Sequence, residues 1–104
     1  MNKSLKLEPQ AISLALKTLP NWTFVEERGG LLKRELKFKD FNQAFGFMTQ
    51  VALFAESTDH HPEWSNVYNR VCVILTTHDV SGVSNKDIEL ALFIDEITST
   101  TAER

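Results

Sequence analysis

Asp59-His60-His61-Pro62-Glu63-Trp64-Ser65-Asn66-Val67-Tyr68-Asn69-Arg70-Val71-Cys72-Val73-Ile74-Leu75-Thr76-Thr77-His78 is the stretch that decides the fold, because a helix ends in it and a hairpin begins. Pro62 disfavours helical geometry at His61, so a helix arriving from upstream stops there and the chain leaves extended. Residues 64–68 and 71 to about 77 then read as strands joined at Asn69-Arg70, a tight antiparallel hairpin. A two-residue turn at those positions pairs Tyr68 with Val71, Trp64 with Leu75 and His61 with His78. Directly opposed side chains share a face with Cβ atoms about 5 Å apart, so His61 and His78 would line one site.

The other elements follow outward from this hairpin. Upstream, Asp40 stands as an N-cap with Gln43 completing a capping-box-like pair, and a helical pattern runs to about residue 59. Phe41, Ala44, Phe45, Met48, Ala52 and Ala55 form one apolar stripe on it. A second line, Phe47, Val51 and Phe54, also keeps helical spacing, which is more apolar surface than packing on one sheet requires. We expect that second line to be an oligomer interface. Before this helix, residues 22–27 and 31–38 flank the turn signal Arg28-Gly29-Gly30 and form a first hairpin, whose alternation Arg34 interrupts. Earlier still, residues 9 to about 19 repeat Ile12, Ala15, Leu16 and Leu19 at helical spacing and stop at Pro20. Downstream, Ser84 caps a last helix with Asp87 in the capping box and Ile88, Ala91, Leu92 and Asp95 along one face. The order α-β-β-α-β-β-α predicts an α+β fold, a four-stranded antiparallel sheet with three helices on one face, in a single domain over residues 1–104.

Composition narrows the function classes. The chain has 104 residues, 42% hydrophobic and 24% charged, with a formal charge of −3, enough for one core and too little for two. An acidic chain with no basic run offers no general attraction to nucleic acid or to an anionic membrane surface, so neither is expected as a partner. No apolar stretch reaches the ~20 residues of a membrane span, and Met1-Asn2-Lys3-Ser4-Leu5 lacks the apolar run of a secretory signal. We therefore expect a soluble intracellular protein, cytoplasmic with the nucleus also open to it. Cys72 lies in the apolar run 71–75 and reads as a small core residue.

All three histidines, His60, His61 and His78, fall within the opening stretch, and histidine is the side chain suited to both giving and taking protons near neutrality. Glu56 and His60 are four residues apart and hence neighbours on a helix surface. A histidine at a helix C-terminus, beside Glu56 and next to Asp59, has the surroundings of a general acid. Thr76 and Thr77 add hydroxyls near His78, and Trp64 offers a flat apolar surface. Adjacent histidines beside a proline do not match the His-x-x-x-His spacing of a helical zinc site, so no metal is expected. No serine sits in a Gly-x-Ser-x-Gly elbow. A plainer reading, a C-capping histidine with structural partners, stays open at this point.

Glu56-Ser-Thr-Asp-His60-His61-Pro62-Glu-Trp64-Ser-Asn-Val-Tyr68, followed by Thr76-Thr77-His78 and then Asp87, closely resembles the pterin-4a-carbinolamine dehydratase family. The resemblance joins a Glu-x-x-x-His-His-Pro core to an aromatic residue, a later histidine and an aspartate, and extends to Trp22 and the final helix. Val83 stands where the family often has leucine.

The resemblance implies dehydration of 4a-hydroxytetrahydrobiopterin to quinonoid dihydrobiopterin, recycling the cofactor of aromatic amino-acid hydroxylases, with no metal or organic cofactor. It implies His60 and His61 as acids for the leaving hydroxyl, and His78 as the residue that orients the pterin or acts as base. Glu56 and Asp59 would tune and orient the imidazoles, Pro62 would belong to the same substrate-binding or orienting set, and Thr76 and Thr77 would help bind the pterin edge. Trp22 and Trp64 would flank the flat ring, with a core role open for each. Asp87 is sufficiently explained as a capping residue. The resemblance also implies a homo-oligomer, dimer or tetramer, and a transcription-factor or hydroxylase partner, with Phe47, Val51 and Phe54 as the contact residues.

Overall fold

The structure, a computed structural model, describes residues 5–99. Its elements are α1 (Pro9–Leu16), β1 (Thr23–Val25), β2 (Leu31–Lys37), α2 (Phe41–Thr58), β3 (Glu63–Val67), β4 (Arg70–Leu75), a 3₁₀ turn (His78–Val80) and α3 (Asn85–Thr98). The strands form one antiparallel sheet in the order β1-β2-β4-β3, as two hairpins laid side by side require. Three helices with a four-stranded antiparallel sheet is the expected α+β arrangement in the expected order.

Strand alternation fixes which face of the sheet is covered. Leu32 pairs with Leu75 and Leu36 with Val71, so these side chains and Val73 point the same way. All five are buried, in one cluster with Ile12 of α1, Ala44, Phe47 and Val51 of α2, and Leu90, Ala91 and Ile94 of α3. Each fully buried Leu, Ile or Val stabilises the fold by roughly 1.5–3 kcal/mol of transfer free energy. Arg34 breaks the alternation because it too points inward, where it is 5% exposed and donates to Asp95 of α3. No helix among the described residues is long and apolar enough to cross a membrane.

Several details differ from the sequence reading. First, α1 stops at Leu16, and bonds spanning three residues from Leu14, Ala15 and Leu16 carry the chain through Leu19. Pro20 lacks an N–H and disfavours helical geometry before it, so the last turn tightens while Leu19 stays buried.

Second, the turn of the second hairpin is Tyr68-Asn69, so that Val67 pairs with Arg70 and Trp64 with Val73. Asn69 is taken up by β2: Phe38 N donates to its carbonyl at 2.8 Å and its Nδ2 donates to Phe38 O at 2.9 Å. Asn66 Nδ2 braces the turn by donating to the carbonyls of Tyr68 and Arg70, and Tyr68 takes a positive φ of 52°. Moving the turn by one residue shifts the pairing by two, so every side chain keeps its face. His61 and His78 are nevertheless not opposed, because His78 has left the strand for the 3₁₀ turn.

Third, Phe47 and Val51 are core residues, 4% and 0% exposed, and Phe54 stacks on Phe93 of α3 with ring centroids 4.1 Å apart. They are not an exposed interface. The outward apolar residues of α2 are Phe41, Phe45 and Leu53. A helix apolar on most sides does not announce which arc faces the sheet, and here the arc through Ala44, Phe47, Val51 and Ala55 is buried. Fourth, the Asp40 capping box is half formed: Asp40 Oδ1 accepts from Gln43 N at 2.9 Å, while Gln43 Oε1 finds no partner among the described residues. On α3, Leu92 faces outward and Leu90 and Ile94 inward.

Candidate active site

The residue that caps the C-terminus of α2 sets the geometry around the histidines. Asp59 adopts the left-handed conformation (φ 55°) and its N–H and that of His60 close the helix on Glu56 O and Ala55 O. The reversed backbone sends the two adjacent imidazoles apart. His60 turns toward α3, where its Nε2 donates to Asp87 Oδ1 at 2.6 Å. His61 swings back over the helix, and its Nε2 donates to Glu56 Oε1 at 2.9 Å. Glu56 is therefore the partner of His61, not of its i+4 neighbour His60, because helical geometry has ended before His60 is reached.

Asp87 does two things at once. As the expected capping residue it accepts from Ser84 N at 2.9 Å, and the same oxygen, Oδ2, accepts from Thr77 Oγ1 at 2.7 Å. Its other oxygen holds His60. The carboxyl group is fully buried and His60 is 11% exposed, so this pair is a fixed wall. His61 and His78, 55% and 74% exposed, remain in contact with water.

His78 starts the 3₁₀ turn and donates from Nε2 to Glu63 Oε2 at 3.0 Å. Arg28, from the turn of the first hairpin, grips both oxygens of the same carboxylate at 2.9 and 3.0 Å. The Arg28 bonds, with the His78 bond next in weight, hold the Glu63 carboxyl down at about 2 against an ordinary 4.5. Glu63 in turn raises the pKa of the Arg28 guanidinium.

These groups surround a cavity of about 390 Å³, within the range of small-molecule sites. Of the residues singled out from the sequence, Asp59, His60, His61, Pro62, Thr76, Thr77 and His78 line it, together with Glu63, Asp79 and Lys86, which the sequence did not point to. The threonine hydroxyls are committed within the protein: Thr76 Oγ1 donates to Gly30 O at 2.9 Å, and Thr77 bridges Ser84 and Asp87. Trp64 packs against the core from β3. Trp22 is not brought to the histidines; it is 5% exposed and its Nε1 donates to Asp95 Oδ1 at 2.8 Å, two helical turns along α3 from Asp87.

Each of the three imidazoles thus has Nε2 on a carboxylate of its own, Asp87, Glu56 or Glu63, and so keeps Nδ1 for another molecule. A carboxylate only accepts, so Nε2 carries the proton in every pair. Three oriented imidazoles at one cavity have the chemistry to give and take protons. Among the described residues no three His, Cys, Asp or Glu side chains converge as a metal-binding group. Two wider clefts of about 720 and 770 Å³, one at the β3-β4 turn and one beside α1, hold no histidine.

The sequence pattern of the family described as Pterin 4 alpha carbinolamine dehydratase matches residues 5–97. The chain belongs to the pterin-4a-carbinolamine dehydratase family. A relative from Burkholderia vietnamiensis, provisionally named a pterin-4-alpha-carbinolamine dehydratase, is 52% identical over 96 residues, covering 92% of this chain and 93% of that protein. A relative of the same provisional name from Bordetella avium is 58% identical over 85 residues, covering 82% of this chain and 78% of that protein. The crystal structure of a transcriptional coactivator/pterin dehydratase from Brucella melitensis superposes with a TM-score of 0.85 at 47% identity, covering 89% of this chain and 98% of that one. His60 closes α2 through its N–H on Ala55 O and pairs with Asp87 through its ring at the same time. Glu63 and Asp87 hold His78 and His60, and sequence reasoning passed over the first and explained the second as structural.

Proposed function

We propose that this chain dehydrates 4a-hydroxytetrahydrobiopterin to quinonoid dihydrobiopterin, and thereby returns the pterin used by aromatic amino-acid hydroxylases, in the cytoplasm. The observation that carries this reading is the ring of three imidazoles, each held through Nε2 by its own carboxylate, around one cavity. The reaction breaks the C4a–O bond, delivers a proton to the departing hydroxyl so that it leaves as water, and removes a proton from the ring nitrogen system as the conjugated product forms. One group must give a proton and another must take one. Proton transfer of this kind contributes typically ~10²–10⁴-fold, about 3–5 kcal/mol of barrier.

In this assignment His61, water-exposed and backed by Glu56, acts as the imidazolium: its Nε2–H stays on Glu56 while its Nδ1–H passes to the leaving hydroxyl, and Nδ1 takes a new proton from solvent. His60, fixed by buried Asp87, positions the substrate beside it. His78 takes the ring proton through Nδ1. Asp59, in its left-handed conformation, and Pro62 lead the two adjacent histidines apart, and Thr76 and Thr77 line the same cavity. The test is a coupled hydroxylase assay following loss of the 4a-carbinolamine absorbance. Purified protein accelerates that loss, and His60→Ala with His61→Ala abolishes the acceleration; equal rates for wild type and the double variant would reject the proposal.

A second reading concerns assembly, and the exposed apolar side of α2 favours it. Phe41, Phe45 and Leu53, 45%, 56% and 68% exposed, would form the contact with a second copy or with a protein partner such as a transcription factor. Light scattering tests it: Phe45→Glu lowers the assembled mass while leaving the circular dichroism unchanged, and an unchanged mass would reject it.

A further inference from the structure

The turn of the first hairpin is remote in sequence from the histidines, yet it reaches their surroundings at three points. Arg28 Nη1 and Nη2 donate to the two oxygens of Glu63. Gly29, at φ 84°, lies so near Ser81 that a Cβ built on it would stand 1.9 Å from the Ser81 carbonyl oxygen. Gly30 O accepts from the buried hydroxyl of Thr76. Thr76 and Ser81 bracket His78, so the turn braces the segment that carries this histidine on both sides, and its arginine clamps the carboxylate that holds the ring.

We infer that this turn is a positioning element of the site, with Arg28 and Glu63 as positioning residues that set which ring nitrogen of His78 faces the substrate. The inference deepens the dehydratase reading and rests on it for its kinetic consequence only. A glutamate side chain alone has several rotamers, and its carboxylate would present its oxygens in many directions. The planar guanidinium fork takes both oxygens together and fixes the carboxylate plane. Oε2 then accepts the His78 Nε2–H at 3.0 Å in one orientation. A neutral imidazole with its proton on Nε2 has its lone pair on Nδ1, so the clamp presents a proton acceptor and excludes the other tautomer. An exposed ion pair contributes little to stability, and the value of this one lies in orientation.

The experiment uses the full chain with ¹⁵N-labelled histidine and no ligand, and compares wild type with Arg28→Ala, Arg28→Lys and Glu63→Ala. In wild type the His78 ring nitrogens report Nε2–H. In Arg28→Ala and Glu63→Ala they move toward a tautomer mixture, while the His60 and His61 signals stay in place. Arg28→Lys, with the charge but not the fork, restores the signature in part. In the dehydration assay the two alanine variants lose roughly ten- to hundredfold in kcat with KM near wild type, as a misplaced catalytic group does. A His78 signature that stays on Nε2–H in both alanine variants would overturn the inference, as would a loss confined to KM. Should wild type prove inactive, the dehydratase reading falls alone, and the ring-nitrogen signature still decides the positioning.

Discussion

Replacing Asp87 tests the buried half of the site. Its Oδ2 satisfies Ser84 N and Thr77 Oγ1, and its Oδ1 satisfies His60 Nε2, all at 2.6 to 2.9 Å. In Asp87→Ala the Thr77 and Ser84 hydroxyls, 2.6 Å apart, still share one hydrogen bond, but one of their two hydrogens loses its acceptor. The Ser84 N–H and the His60 Nε2–H lose theirs as well. Each buried orphan donor costs about 1–3 kcal/mol, and water recovers part of the His60 loss at its 11% exposure. The expected destabilisation is about 3–6 kcal/mol, against the roughly 5–15 kcal/mol total of a domain this size. Asp87→Asn keeps one oxygen for Ser84 and Thr77 but turns an amide N–H₂ toward His60, whose Nε2 must then accept instead of donate. That variant should cost only about 1–2 kcal/mol while moving the His60 ring proton to Nδ1. Urea unfolding with an unchanged slope measures the first effect and ¹⁵N spectra of the ring measure the second. An alanine variant as stable as wild type, or a His60 ring unmoved in the asparagine variant, would refute the reasoning.

Three further outcomes are expected. Phe47→Ala should lose about 3–5 kcal/mol in urea unfolding as a core truncation, where an interface residue would leave monomer stability unchanged. Gly29→Ala, which places a Cβ against the Ser81 carbonyl at a positive φ, should cost roughly 1–3 kcal/mol and lower Tm by at least about 4 °C in calorimetry; an unchanged Tm would contradict the close docking of the turn. Glu63 titrates in the folded chain at about 2, below its ordinary 4.5, so its bonds to Arg28 and His78 are fully stabilising above about 4.5 and are lost as pH falls through about 2. A ¹³C titration of its carboxyl should find that midpoint, and Arg28→Ala should move it back up; a wild-type midpoint at the ordinary value would count against the clamp.

The elements were legible because their signals are local. Pro62 and Asp59 end α2, Ser84 and Asp87 start α3, and the apolar alternation of β2 and β4 marks the buried face. The hairpin register was misread by two residues because Asn69 is recruited by Phe38, a contact across the sheet that no short window contains. The outward face of α2 was misread for a related reason: apolar residues on most sides leave helix rotation to tertiary packing. At the site, the three histidines and Glu56 stood out by residue type and spacing. Their pairing did not, since a single left-handed residue, Asp59, redirects His60 to α3 and gives Glu56 to His61. Asp87 was hidden by having a good structural explanation, and Glu63 by needing Arg28, which is 35 residues away.

Where a pterin binds is the most direct test of the three imidazoles' role. A crystal structure of the full chain with dihydrobiopterin should show the bicyclic ring in the cavity among His60, His61 and His78, with Nδ1 of at least His61 and His78 within about 2.6–3.2 Å of ring atoms or of the C4a substituent position. A pterin seated in the cleft beside α1 or at the β3-β4 turn, with the imidazoles untouched, would contradict it.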